Sequence, residues 1–155
     1  METNTEPYDI RIDKEGVWYY KGKEIFRHEI VRYFYQNLKV DEKGRYIIEL
    51  ENDRCYLEVE DTPFIVKAVY RCKVGAENEE CIYLLLSDQS LEKLACDTLL
   101  VGKDNVLYCS IKKGAFLTRF SRAAYYQIAD FIEYDEGKDN YFIAMNGRQF
   151  GIRTE

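Results

Sequence analysis

One order of elements occurs twice in this chain, and that repetition constrains the fold more than any other feature. Setting Phe26 against Phe120, an offset of 94 residues, brings Leu38 onto Ile132 and Asp41-Glu42 onto Asp135-Glu136. One inserted residue makes the offset 95. Tyr46 then falls on Tyr141, Ile48 on Ile143 and Leu50 on Met145. In each copy a hairpin turn carrying Lys and Gly (Lys21-Gly22-Lys23; Lys112-Lys113-Gly114) precedes an amphipathic helix, an acidic turn and a second hairpin. Identity is low, and any two such helix-hairpin runs align loosely. The persistence of the Asp-Glu and Tyr register favours duplication over coincidence. Two such units bury their apolar faces best against each other or against an intervening sheet.

The elements follow from periodicity. Ile30, Phe34 and Leu38 recur every fourth residue, with Val31 and Tyr35 beside them, so a helix is expected over Phe26 to Leu38. Tyr125, Ile128, Ala129 and Ile132 mark a second helix over Arg122 to Ile132, with Ser121 as its N-cap. Trp18-Tyr19-Tyr20 between Gly-bearing turns reads as a strand, as do Tyr46 to Leu50 and Cys55 to Glu60. Asp61-Thr62-Pro63 interrupts the pattern, because Pro is excluded from central strands. The domains are therefore expected at 1–61, a small α+β lobe, and 62–155. Strands are expected over Phe64 to Lys73, Cys81 to Ser87, Leu91 to Ala95, Thr98 to Val101, Val106 to Ile111 and Ala115 to Arg119. Asn146-Gly147 then turns the last hairpin.

Composition narrows the function classes. The net charge of −6 (22 basic, 28 acidic residues) excludes a protein that works mainly on a nucleic-acid backbone. No run approaches the roughly 20 apolar residues that span a bilayer. Met1 to Asp9 is polar and acidic and lacks the features of a secretory signal, so a cytoplasmic location is expected. Five widely spaced cysteines and one histidine give neither a disulfide framework nor a zinc site. Buried reduced thiols are expected, with a redox pair between Cys72 and Cys81 as the alternative if they face each other across a hairpin.

Lys112, Lys113, Arg119 and Arg122 are the densest basic cluster in an acidic chain. Arg119 and Arg122 bracket the start of the second helix, whose free N–H groups suit a phosphate or carboxylate. Solvated, ion-paired surface charge is the plainer reading of the same residues. Glu58 and Glu60 share a strand face, with Asp61 next in line. They read either as paired carboxylates for acid–base or cation chemistry or as a wet strand face before Pro63. His28 opens the first helix with no acid or nucleophile of triad type nearby, and no Walker loop, nucleophile elbow or dinucleotide fingerprint is present. No catalytic residue, metal or cofactor is expected.

Ile10-Arg11-Ile12-Asp13, Gly16 to Ile25, the aromatic helix and Glu58-Val59-Glu60-Asp61-Thr62-Pro63-Phe64 together resemble the bacterial domain of unknown function 1285 family. Leu86-Ser87-Asp88, Tyr108 to Gly114 and the Arg-x-x-Arg-x-x-x-Tyr stretch Arg119-Arg122-Tyr126 resemble its second half. The chain departs from the family at Ser87-Asp88, where many members have Gly-Asp, and near Val106-Leu107, where a Pro is common. The resemblance implies an α+β protein of two related hairpin-helix-hairpin lobes. It implies that the second is a mostly antiparallel, pleckstrin-homology-like barrel closed by a helix. It also implies a small, nucleotide-like ligand in the cleft between the lobes and a role in signalling, and the basic cluster makes that ligand anionic. The ligand-contacting set would be Lys112, Lys113, Arg119, Arg122, Tyr126, Glu58, Glu60 and Asp61. The alternative function is a protein-interaction adaptor that uses Tyr-rich surface and no small ligand.

Overall fold

The computed structural model describes residues 8–155, and the chain divides into one compact unit that ends at Pro63 and another that begins at Phe64. Residues 1–7, most of the polar segment read as lacking a signal, lie outside the described residues.

The first unit comprises β1 (Ile10–Ile12), β2 (Trp18–Tyr20), β3 (Lys23–Glu24), α1 (His28–Gln36), β4 (Leu38–Val40), β5 (Tyr46–Leu50) and β6 (Asp53–Val59). They form one six-stranded sheet in the order β3-β2-β1-β6-β5-β4, antiparallel except where β1 meets β6. Alternation places Ile10, Ile12, Trp18 and Leu57 on one face, and all four are buried. Trp18 stacks on Phe34 of α1 at 5.7 Å and meets Tyr35 edge-on at 4.9 Å. Tyr35 is buried, and its hydroxyl donates to the Pro63 carbonyl oxygen at 2.8 Å. That bond ties the helix to the segment that closes the unit.

The second unit begins with a hairpin absent from the first, β7 (Ile65–Val74) and β8 (Glu79–Leu86), followed by β9 (Leu91–Lys93). Then come β10 (Leu100–Val101), β11 (Leu107–Ile111), β12 (Phe116–Phe120), α2 (Arg122–Ala129), β13 (Ile132–Asp135), β14 (Asn140–Met145), β15 (Arg148–Gly151) and β16 (Arg153–Thr154). One sheet runs β16-β10-β11-β12-β7-β8-β9, and a second runs β13-β14-β15. β7 lies parallel to β12, so the added hairpin extends the sheet at that edge. Ala124 and Ile128, one turn apart on α2, are buried. At a bulge in β7 between Val66 and Ala68, the Val69 N–H donates to Gln127 Oε1 at 2.7 Å.

Strand pairing repeats between the units residue by residue. Leu38↔Ile48, Lys39↔Ile47 and Val40↔Tyr46 in the first match Ile132↔Ile143, Glu133↔Phe142 and Tyr134↔Tyr141 in the second. Ile47↔Tyr56 through Leu50↔Asp53 match Phe142↔Gly151 through Met145↔Arg148. The parallel pairs Arg11↔Glu58 and Ile12↔Val59 match Leu100↔Arg153 and Val101↔Thr154. Even the turn chemistry recurs. Asp41 Oδ1 accepts from Lys43 N at 2.9 Å, and Asp135 Oδ1 accepts from Gly137 N at 2.9 Å. The β11–β12 hairpin is the longer copy of β2–β3, adding the pairs Ser110↔Leu117 and Ile111↔Phe116.

The whole is α+β, mostly strand with two helices and several mixed sheets. The sheets are not closed into a barrel. Both helices are shorter than their apolar spacing suggests. Arg27 is extended, so Phe26 stays outside α1 and is 76% exposed. Asn37 ends the helix by donating from Nδ2 to the Tyr33 carbonyl. Leu38 and Ile132, read as last helical residues, instead open β4 and β13. A strand that begins on an apolar residue continues a period of four by one more step, which hides the boundary. The strand expected from Thr98 is interrupted, because Cys96–Thr98 form a 3-10 turn and pairing begins at Leu100.

Candidate functional site

The turn that joins β11 to β12 carries three successive residues in the left-handed region, Lys112 (φ 55°), Lys113 (φ 58°) and Gly114 (φ 86°). A non-glycine residue held there needs support from its surroundings. Lys112 has it. Its backbone N–H donates to Glu92 Oε2 at 2.8 Å, and its Nζ lies 3.3 Å from Asp88 Oδ2 and 3.4 Å from Ser90 Oγ. Asp88 also accepts from the Ser90 amide and hydroxyl, the latter at 2.6 Å. Asp88, Ser90, Glu92 and Lys112 thus clamp two turns together. Lys113 is exposed at the tip of the same turn.

Arg119 and Arg122 stand at the other end of β12. Four strand steps separate Phe116 from Phe120, about 13 Å at the usual rise, so the basic residues adjacent in sequence form two groups in space. Arg119 is half-buried on β12, opposite Tyr108 of β11 and Ile65 of β7. Arg122 is exposed as the first residue of α2. Ser121 caps that helix by accepting from Ala124 N at 3.1 Å, and no acidic residue lies in the first turn. Tyr126 follows Arg122 by one turn on the same face and is 62% exposed. Tyr126 stands 5.7 Å ring to ring from Tyr125, and helical side chains in general lean toward the N-terminus, here the turn that bears Arg122.

Glu58, Glu60 and Asp61 belong to the first unit. Glu58 is exposed and faces Arg11 across the β1–β6 ladder. Glu60 accepts from Lys14 N at 3.0 Å and lies 3.9 Å from Arg11, whose guanidinium sits 4.8 Å above the Tyr19 ring. Asp61 is half-buried. Among the described residues, no three His, Cys, Asp or Glu side chains are placed to hold a metal ion. His28 is exposed at the start of α1.

Cys72 and Cys81 lie directly opposite each other in the β7–β8 ladder, and both are free thiols. Cys109 is fully buried, and burial pushes its thiol up to about 12.

The C-terminal unit also carries a concavity away from the basic cluster. A cleft of about 410 Å³ is lined by Val101, Ile152 and Thr154 on one side and by Tyr134, Asp139, Asn140 and Tyr141 on the other. The two tyrosine rings lie 5.1 Å apart at 58°. The Tyr134 hydroxyl donates to Asp139, and that bond holds its pKa above the ordinary tyrosine value. The available signal was the repeat itself, since Tyr134 and Asp139 stand where the first copy has Val40 and Gly44.

Residues 3–62 match the family model described as "Domain of unknown function (DUF1285), N-terminal domain". No functionally curated protein matches the chain. A DUF1285 family protein from Silicibacter pomeroyi DSS-3 has a similar structure, with a TM-score of 0.75 and 20% identity over 94% of this chain and 80% of that one. Another, from Shewanella baltica OS155, has a TM-score of 0.64 and 17% identity over 79% of this chain and 91% of that one.

Proposed function

Since residues 3–62 match the N-terminal domain of the DUF1285 family, whose description assigns no activity, we propose the chain's function from its own residues: a non-catalytic binding module that takes a small anionic, nucleotide-like ligand and acts in signalling. The observation that carries this reading is the first turn of α2. A helix N-terminus is electropositive and favours acidic residues, yet α2 begins with exposed Arg122 and has no acidic residue in that turn. A phosphate there accepts from the free helix N–H groups and from a forked guanidinium. The exposed ring of Tyr126, one turn on, offers a stacking face for a base. Lys112 and Lys113 stand apart from this turn and tune it at most through the wider field. The packing of α2 on β7 and β12 of the seven-stranded sheet supports the proposal that this unit is a pleckstrin-homology-like fold.

Thermal-shift titration of the full chain with inorganic phosphate, pyrophosphate and adenosine monophosphate tests the reading. Saturable stabilisation that grows from phosphate to the nucleotide is expected. No stabilisation by any of the three would end it. In that case the adaptor reading gains, since Phe26 is 76% and Tyr33 52% exposed at the start and on the surface of α1.

A further inference from the structure

We propose that the tyrosine-lined cleft of the second unit binds a small organic cation, an ammonium or guanidinium group that carries apolar substituents. The site is separate from the first turn of α2 and does not depend on the reading given above.

Its size comes first. A volume of about 410 Å³ falls within the range of roughly 300–1,000 Å³ typical of small-molecule sites. Its lining combines apolar surface from Val101 and Ile152 with two aromatic rings and a few polar groups. Tyr134 and Tyr141 are a cross-strand pair, 47% and 55% exposed. Ring faces left half in solvent are negative surfaces, and cations are drawn to them.

Charge then selects the ligand. Asp139 is the charged side chain in the lining, and Asp135 and Glu136 share its turn. The basic residues within two positions of the lining are Lys103, Lys138, in the same turn as Asp139, and Arg153. Arg153 lies between Ile152 and Thr154, both of which line the cleft, so strand alternation turns it to the other face. An anion placed here would meet a carboxylate and two electron-rich rings. A cation meets its counter-charge.

The first copy separates scaffold from site. The same backbone positions there hold Ile12, Val40, Gly44, Tyr46, Leu57 and Val59, with Arg45 at the place of Asn140. The first copy therefore fills this corner with aliphatic residues, one tyrosine, a glycine and a positive charge. Tyr134, Asp139 and Thr154 are specific to the second copy, where they add a second ring and a carboxylate while Asn140 replaces the positive charge of Arg45.

The test titrates the full chain with choline and with N-acetyl-arginine amide, followed by tyrosine ring NMR signals. Methyl glucoside and acetate serve as neutral and anionic contrasts. Saturable shifts of Tyr134 and Tyr141 are expected with a cation. Saturation by choline alone identifies a free quaternary amine, and saturation by the arginine amide alone identifies a basic side chain; either supports the site. Asp139→Asn is expected to weaken binding at least tenfold. It keeps the fold, because Asn tolerates the positive φ of 53° at this position. Tyr141→Ala is expected to abolish binding, and Arg122→Glu to leave it unchanged. Absence of saturation by either cation, equal affinity in the Asp139→Asn variant, or tighter binding of glucoside or acetate would overturn the proposal.

Discussion

Replacing Arg122 by Glu should make the protein more stable while destroying its anion site. Arg122 occupies the first position of α2, where unpaired N–H groups carry a partial positive charge, and it is exposed. A single charge at a helix end is worth about 0.3–1 kcal/mol at low salt. Removing a repelled cation and adding an attracted anion therefore sum to about 0.6–2 kcal/mol in favour of the folded state. The Ser121 cap is untouched, and its bond to Ala124 N stays in place. Urea unfolding followed by far-ultraviolet circular dichroism, which reports both units, measures the change at low and high salt. The gain should shrink in high salt, because exposed charges are screened. A parallel titration with adenosine monophosphate should show at least a tenfold loss of affinity. Lower stability in Arg122→Glu would mean that Arg122 makes a structural contact, and the argument from an uncompensated helix end would fail. Unchanged affinity would remove Arg122 from the site.

Two further outcomes probe the core. Thr118 is fully buried opposite Cys109, and its hydroxyl has no hydrogen-bond partner among the described residues. Thr118→Val keeps the shape and the β-branch and should stabilise by about 1–2 kcal/mol in urea unfolding. Destabilisation would show the hydroxyl to be partnered. Alkylation at pH 8 should label Cys55 well before Cys109, whose thiol burial holds up to about 12 and thus protonated and unreactive. In the same experiment mild peroxide, reduced to water, should remove two thiols by joining Cys72 to Cys81. Paired cross-strand positions lie about 4.5–5.5 Å apart at Cα, within disulfide range. Labelling of Cys109 as fast as Cys55, or no loss of thiols, would contradict this.

Much of the fold was legible because periodicity and turn chemistry are local. Gly22, Gly114 and Gly147 all take positive φ in the turns where the sequence places them. The repeat was legible because Asp41 and Asp135, and Tyr46 and Tyr141, stay aligned on either side of a single inserted residue. The helix ends were not, because Leu38 and Ile132 satisfy the helical period while they pair in strands. Nor was the parallel pairing of β1 with β6 and of β10 with β16, which joins residues distant in sequence. The basic cluster was legible only as a list of residues. Its division along β12, and the capture of Lys112 by Asp88, depend on a strand and a clamp that spacing does not reveal. The tyrosine cleft draws on β10, β13, β14 and β16, and no single stretch of sequence announces it.

The central claim is that the exposed departures of the second copy from the first are binding features laid on a common scaffold. The most direct measurement writes the first copy's residues into the second, as the double variant Tyr134→Val, Asp139→Gly. Glycine suits the positive φ at 139, and valine suits a strand. Urea stability should stay within about 0.5 kcal/mol of the parent, while saturation by choline and by N-acetyl-arginine amide disappears. Unfolding of the variant, or cation binding that survives the exchange, would contradict the claim.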